Sequence, residues 1–187
     1  MNLQPFFTTL LVIGLAEVGD KTQLLTMGFA TRYPIWKVMA GVLCASGLLM
    51  GMAVFFGGII HYYIPEFYIQ LFSGWFFLLI GVWTIFAREK EEDVEGGKHN
   101  PFWIVFVSFL IAELGDKTQL ATLAFSAEFG RPFQVWLGAT LAMVGINGAG
   151  ILIGRWIKDL ISKIWIKWLG ATIFILVGLI TLIKLWF

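Results

Sequence analysis

The chain has 187 residues, of which 59% are hydrophobic and 13% are charged, and its mean hydropathy is +0.85. A soluble domain carries about 25% charged residues, so this composition predicts an all-α integral membrane protein. The formal net charge of +1 gives no indication of nucleic-acid binding. Cys44 is the single cysteine, which excludes an intrachain disulfide and a cysteine-based metal cluster.

Six segments are long and apolar enough to cross a bilayer, since a transmembrane helix needs about 20 mostly apolar residues. In chain order they are residues 5–30, 38–60, 67–87, 101–127, 132–154 and 164–187. Between the third and fourth lies a polar segment with five acidic and three basic residues, which we interpret as a solvated linker. The predicted organisation is a three-helix repeat (1–87), a cytoplasmic linker (88–100) and a second three-helix repeat (101–187).

The first and fourth segments contain nearly the same acidic stretch, EVGDKTQ at residues 17–23 and ELGDKTQ at residues 113–119. The two copies lie 96 residues apart, and each is near the middle of its predicted span. One charged residue at the centre of a membrane helix costs about 2.5–3.5 kcal/mol on insertion scales. A doubled set of such residues therefore indicates a functional site.

The number of helices in each repeat decides the relation between the two halves. If each unit crosses the membrane three times, the second unit enters from the opposite side. The halves are then inverted repeats, related by a pseudo-two-fold axis in the membrane plane. If the first and fourth spans pack together, both acidic stretches meet at one site in mid-membrane.

The orientation follows from the Lys and Arg residues of the loops, because cytoplasmic loops carry an excess of positive charge. Two of these residues, Arg131 and Lys184, fall on one side of the predicted topology. Nine fall on the other side: Arg32, Lys37, Arg88, Lys90, Lys98, Arg155, Lys158, Lys163 and Lys167. This bias predicts that the linker is cytoplasmic and that both termini are outside.

The spacing within the first copy predicts a ladder of oxygen ligands, because Glu17, Asp20 and Gln23 share one helix face at intervals of three residues. The second copy supplies Glu113, Asp116 and Gln119 in the same way. Carboxylate and amide oxygens suit Ca²⁺, Mg²⁺ or Mn²⁺. We predict these six residues as metal ligands and a further five as supporting residues: Lys21, Thr22, Lys117, Thr118 and Asn147.

The supporting residues have structural alternatives. Each lysine lies four residues after a glutamate and could form an internal ion pair with it, Lys21 with Glu17 and Lys117 with Glu113. The motif threonines could hydrogen-bond back to the helix rather than to a ligand, and Asn147 could join two helices rather than bind an ion. Gly19 could let its helix bend or unwind locally.

With both lysines counted, the shared site has a formal charge of −2, which a divalent cation would neutralise. When the cation leaves, protons are expected to replace it, because uncompensated charge is costly in a low dielectric. Rocking of one half against the other would supply alternating access. Three alternatives remain: a passive cation channel, an exporter of basic amino acids, and a membrane scaffold whose motifs only join helices.

The doubled Glu-x-Gly-Asp-Lys-Thr motif, placed in the first helix of each three-helix repeat, resembles that of the Gdt-type cation/proton exchangers, also called uncharacterised protein family sixteen. The resemblance covers essentially the whole chain. It implies a secondary transporter of Mn²⁺ and/or Ca²⁺ with protons as counter-ion, similar to bacterial manganese exporters and located in the bacterial inner membrane. The expected partners are the metal ion, protons and the lipid bilayer, and no tightly bound cofactor is expected. The sequence has no nucleophile–base pairing and no Gly-rich loop between a strand and a helix, so it predicts no enzymatic activity. The sequence leaves a monomer and a homodimer equally open.

Overall fold

The computed structural model describes residues 3–86, 100–157 and 163–185, and these ranges form eight α-helices without a strand. In chain order the helices are α1 (Gln4–Glu17), α2 (Lys21–Ala30), α3 (Ile35–Tyr63), α4 (Glu66–Phe86), α5 (Pro101–Glu113), α6 (Lys117–Phe129), α7 (Pro132–Ile157) and α8 (Lys163–Ile183). Residues 88–99 of the predicted linker and the side chain of Lys21 lie outside the described part of the structure.

Four of the six predicted segments are confirmed as single long helices, namely α3, α4, α7 and α8. Prolines mark two of their starts, because Pro34 caps α3 and Pro132 is the first residue of α7. Proline is tolerated at a helix start because the N–H that it lacks would have no partner within the helix. All elements of the described residues are helices, which confirms the prediction of an all-helical structure.

Residues 5–30 and 101–127 do not form continuous helices, and the local unwinding that Gly19 was predicted to allow is confirmed. The first is broken into α1 and α2 and the second into α5 and α6, with each break inside the acidic motif. Gly19 has φ +74° and Gly115 has φ +73° at these breaks. This left-handed conformation interrupts a right-handed helix and strongly favours glycine over residues with a side chain.

The surface of the molecule is apolar and its interior contains acids, the reverse of a soluble protein. Phe72, Trp75 and Leu79 on α4 are 56–67% exposed, whereas Glu17 and Glu113 are fully buried. Helix α3 and residues 132–152 of α7 are long and apolar enough to cross a membrane. These features are those of an integral membrane protein.

The main helix contacts join the first half of the chain (residues 3–86) to the second half (residues 100–185). Helix α4 packs against α8, α1 against α7, and α3 against α5, α6 and α7. Contacts within the first half, such as those of α3 with α2 and α4, are much smaller. The halves are therefore intertwined, and this arrangement brings the two breaks close to each other.

Candidate metal centre

Each break has the same local structure, which the motif residues build. The backbone N–H of Asp20 donates to the carbonyl of Glu17 at 3.1 Å, closing a short turn around Gly19. Asp20 has extended backbone angles and is the N-cap of α2, with no hydrogen bond from its side chain to that helix. Asp116 repeats this arrangement as the N-cap of α6. Neither aspartate carboxylate caps the helix that follows it, and both residues lie at the break.

The motif glutamines stabilise the breaks. The side-chain oxygen of Gln23 accepts a hydrogen bond from the N–H of Gly19 at 2.7 Å, and that of Gln119 accepts from Gly115 at the same distance. The amide nitrogen of Gln23 donates to the carbonyl of Ile146 on α7 at 2.8 Å. Both ends of Gln23 are therefore used in holding the unwound turn and in joining it to the other half.

The motif glutamates end α1 and α5 and are bound by the motif threonines. Thr22 Oγ1 donates to Glu17 Oε2 at 3.2 Å, and Thr118 Oγ1 donates to Glu113 Oε1 at 2.8 Å. Both threonines therefore bond a motif glutamate rather than back to their own helix. The second oxygen of each glutamate, Glu17 Oε1 and Glu113 Oε2, is buried without a hydrogen-bond partner. Each glutamate therefore has one oxygen held in place and one available for an ion.

The structure brings carboxylates from the two motif copies together. One oxygen each from Glu17, Asp20 and Asp116 lies within 4.8 Å of the other two. Glu113, the fourth motif acid, is not one of this group of three. The predicted ladder on one helix face is wrong, however, because Glu17 and Asp20 lie on opposite sides of a break. Proximity arises between the halves rather than along one helix.

Lys117 also joins the two copies. Its ammonium lies 2.5 Å from Asp20 Oδ2 and 3.9 Å from Asp116 Oδ2. The predicted pairing of Lys117 with Glu113 is wrong, because the i,i+4 relation requires a continuous helix and α6 begins at Lys117 itself. The lysine instead points toward the aspartate of the first copy.

Asn147 is fully buried on α7, and both ends of its amide are hydrogen-bonded. Its oxygen accepts from Thr26 Oγ1 at 2.7 Å, and its nitrogen donates to the carbonyl of Met143 at 2.8 Å. Of the two alternatives, this geometry favours joining α2 to α7. The matching place in the other half was missed from the sequence, because Met50 Sδ there contacts Thr122 Oγ1 and a methionine gives no signal of a polar contact.

Comparison with known proteins identifies the family of this chain. The family model described as "Divalent cation/proton antiporter GDT1" matches residues 5–92 and 101–186, which include both motif copies. The chain belongs to the GDT1 family. It is therefore a transporter-family protein of the membrane and not an enzyme, and the divalent-cation chemistry of its family agrees with the oxygen-rich cluster described above.

Relatives of this GDT1 protein occur in bacteria and plants. A Vibrio cholerae protein named "Putative manganese exporter" is 31% identical over 172 residues, covering 90% of this chain and 86% of its own length. A GDT1-like protein of Synechocystis is 29% identical, covering 96% of this chain and 97% of its own. GDT1-like protein 5 of Arabidopsis thaliana is 27% identical, with coverage of 97% and 96%. No solved structure matches the chain.

The break in α5–α6 of this GDT1 protein gives a test of its glycine. A Cβ at Gly115 would meet no atom within 4 Å, so Gly115→Ala carries only the conformational cost of φ +73°. We expect a loss of about 1–2 kcal/mol in the free energy of unfolding. Thermal denaturation in detergent would show a lower midpoint for this variant.

Gly115→Asn is the matched control, because asparagine tolerates the left-handed region better than alanine does. We expect Gly115→Asn to be more stable than Gly115→Ala despite its larger side chain. If alanine were as well tolerated as glycine, the left-handed break would not be a requirement of the fold.

Proposed function

We propose that this protein exports a divalent cation, Mn²⁺ or Ca²⁺, from the cytoplasm in exchange for protons, by alternating access around the carboxylate cluster. The observation that carries the proposal is the cluster of Glu17, Asp20 and Asp116, whose carboxylate oxygens come within 4.8 Å of one another from both halves of the chain. Buried acids in a membrane protein typically mark an ion pathway. Glu113 completes the four motif acids of the proposed site.

The helix lengths support six membrane crossings arranged as two inverted repeats. Helices α1 and α5 have 14 and 13 residues, which extend about 20 Å at 1.5 Å per residue. The hydrocarbon core is about 30 Å thick, so each broken pair is needed to complete one crossing. Three crossings in each half then give opposite orientations. Broken helices at the midplane are a recurring feature of transporters built from inverted repeats.

The donor atoms support a hard divalent cation as substrate. The cluster offers carboxylate oxygens from Glu17, Asp20 and Asp116. Such oxygens suit Ca²⁺ and Mn²⁺ better than softer metals. The name of the Vibrio cholerae relative supports Mn²⁺ as the first ion to test. The glutamines remain predicted ligands, although their oxygens already accept backbone hydrogen bonds.

Proton exchange follows from the burial of the acids. Release of a divalent cation leaves several carboxylates close together in a region that water does not solvate well. A charge in such a place must be compensated, and protons can provide that compensation. The cation and protons would then compete for the same oxygens, which couples the movement of one to that of the other.

The direct test uses purified protein in proteoliposomes, with the same Mn²⁺ concentration inside the vesicles and in the outer buffer. We expect a proton gradient imposed across the vesicles to make Mn²⁺ accumulate on one side of the membrane. A passive channel cannot do this, so equilibration without accumulation would reject the exchanger. Inhibition by excess lysine would point instead to an exporter of basic amino acids. No Mn²⁺ flux above that of protein-free vesicles would reject transport of this ion altogether.

A further inference from the structure

Lys117 lies beside the carboxylate cluster, and the proposed exchange gives it no role. Its ammonium contacts Asp20 Oδ2 at 2.5 Å and lies 3.9 Å from Asp116 Oδ2. Its side chain is 12% exposed, so this contact is made largely away from solvent. The positive charge of Lys117 therefore lies close to two of the three acids that form the carboxylate cluster.

We propose that the Lys117 ammonium is a tethered counter-ion, and that the transported cation must displace it from Asp20 to bind. This inference rests on the proposed function, since it assigns a role within the same site. A metal ion bound to Asp20 would lie about 2.0–2.6 Å from the carboxylate oxygen. An ammonium at 2.5 Å from the same oxygen would then be in strong repulsion with the ion. The two cations therefore exclude each other at Asp20.

Glu17 gives the cluster an oxygen with which Lys117 forms no ion pair. Glu17 Oε1 is buried and lacks a hydrogen-bond partner, while its other oxygen is held by Thr22. An arriving cation can contact this oxygen first and then compete with Lys117 for Asp20. The lysine thus opposes binding without closing the site.

A tethered counter-ion has a specific use in an exchanger. Between transport events it reduces the repulsion among the buried acids, which would otherwise be costly. It also weakens cation binding, and an ion must be held loosely enough to leave. If the main role of Lys117 were instead to hold the two halves in position, its removal would loosen the cluster and weaken cation binding. The two roles therefore predict opposite effects on metal affinity when the charge is removed.

The experiment is Mn²⁺ titration calorimetry on the full-length protein in detergent, comparing wild type with Lys117→Gln. We expect the variant to bind Mn²⁺ about tenfold or more tightly, because a competing charge next to the ligand is gone. We also expect slower proton-driven Mn²⁺ exchange in vesicles. Lys184→Gln is the charge-matched control, since Lys184 is exposed beyond the end of α8, and it should bind as wild type does.

Lys117→Arg provides a second variant if the glutamine variant does not fold. Arginine keeps the charge and can engage both oxygens of a carboxylate, so it should hold Asp20 more firmly. We expect Mn²⁺ binding about tenfold weaker than in wild type.

Unchanged or weaker binding in Lys117→Gln would overturn the proposal, as would unchanged binding in Lys117→Arg. These results are distinct from failure of the proposed function, in which wild-type protein itself would neither bind nor transport Mn²⁺.

Discussion

Asp20→Asn and Asp116→Asn are each expected to reduce proton-driven Mn²⁺ transport about a hundredfold or more. Loss of a residue that only supports a metal ligand costs about 10–100-fold in affinity or activity, and a ligand should cost at least as much. Asparagine keeps the size of the side chain and removes its charge, so the change tests electrostatics rather than packing. Initial rates of Mn²⁺ uptake into proteoliposomes under a fixed pH gradient would measure the effect.

Glu128→Gln is the control for these variants, because it removes a carboxylate charge from the same helix as Asp116. Glu128 lies in the last turn of α6, about 18 Å along the helix axis from Asp116 at 1.5 Å per residue. We expect it to retain most of the wild-type rate. Wild-type transport in both aspartate variants would show that the cluster is not on the ion pathway.

Gly138→Ala is expected to lower the stability of the protein strongly, although it adds only one methyl group. A Cβ at Gly138 would lie 2.7 Å from the carbonyl oxygen of Phe6 and 3.2 Å from the backbone nitrogen of Leu10, both on α1. Backbone atoms cannot rotate away as a side chain can, so α1 and α7 must separate. We expect a loss of about 1–3 kcal/mol in the free energy of unfolding, the usual range for overpacking.

Gly145→Ala on the same helix is the matched control for this substitution. A Cβ at Gly145 would meet no atom within 4 Å, and alanine favours a helix more than glycine does. We expect this variant to be as stable as wild type or slightly more so. Thermal denaturation in detergent compares the two, and equal midpoints would mean that α1 and α7 do not pack as closely as described.

The sequence predicts the long helices well because their apolar composition and proline starts are local features. Residues 38–60 and 132–154 appear as α3 and α7 with ends displaced by only a few residues. The breaks at Gly19 and Gly115 were harder to predict. A single glycine in an apolar segment is compatible with a bent, a broken or a straight helix. The break is stabilised by the hydrogen bond that the glycine N–H donates to Gln23 or Gln119.

The sequence predicted which residues belong to the candidate site better than it predicted which of them contact one another. Repetition of the motif indicates that the two sets of acids act together, and the structure brings Glu17, Asp20 and Asp116 to one place. The partner of Lys117 could not be obtained from spacing, because spacing describes neighbours within one helix. Its ion pair with Asp20 spans 97 residues and depends on how the two halves pack.

The intertwined packing of the halves has a consequence for the motion that transport requires. Helix α2 is bonded to α7 through Gln23 and Asn147, and α6 is bonded to α3 through Ser126 and the carbonyl of Val54. Two rigid bodies divided at the linker could not swing apart without breaking these bonds. In the proposed exchanger, we therefore expect the boundary between moving blocks to cut through each half, so that each block contains helices from both halves of the chain.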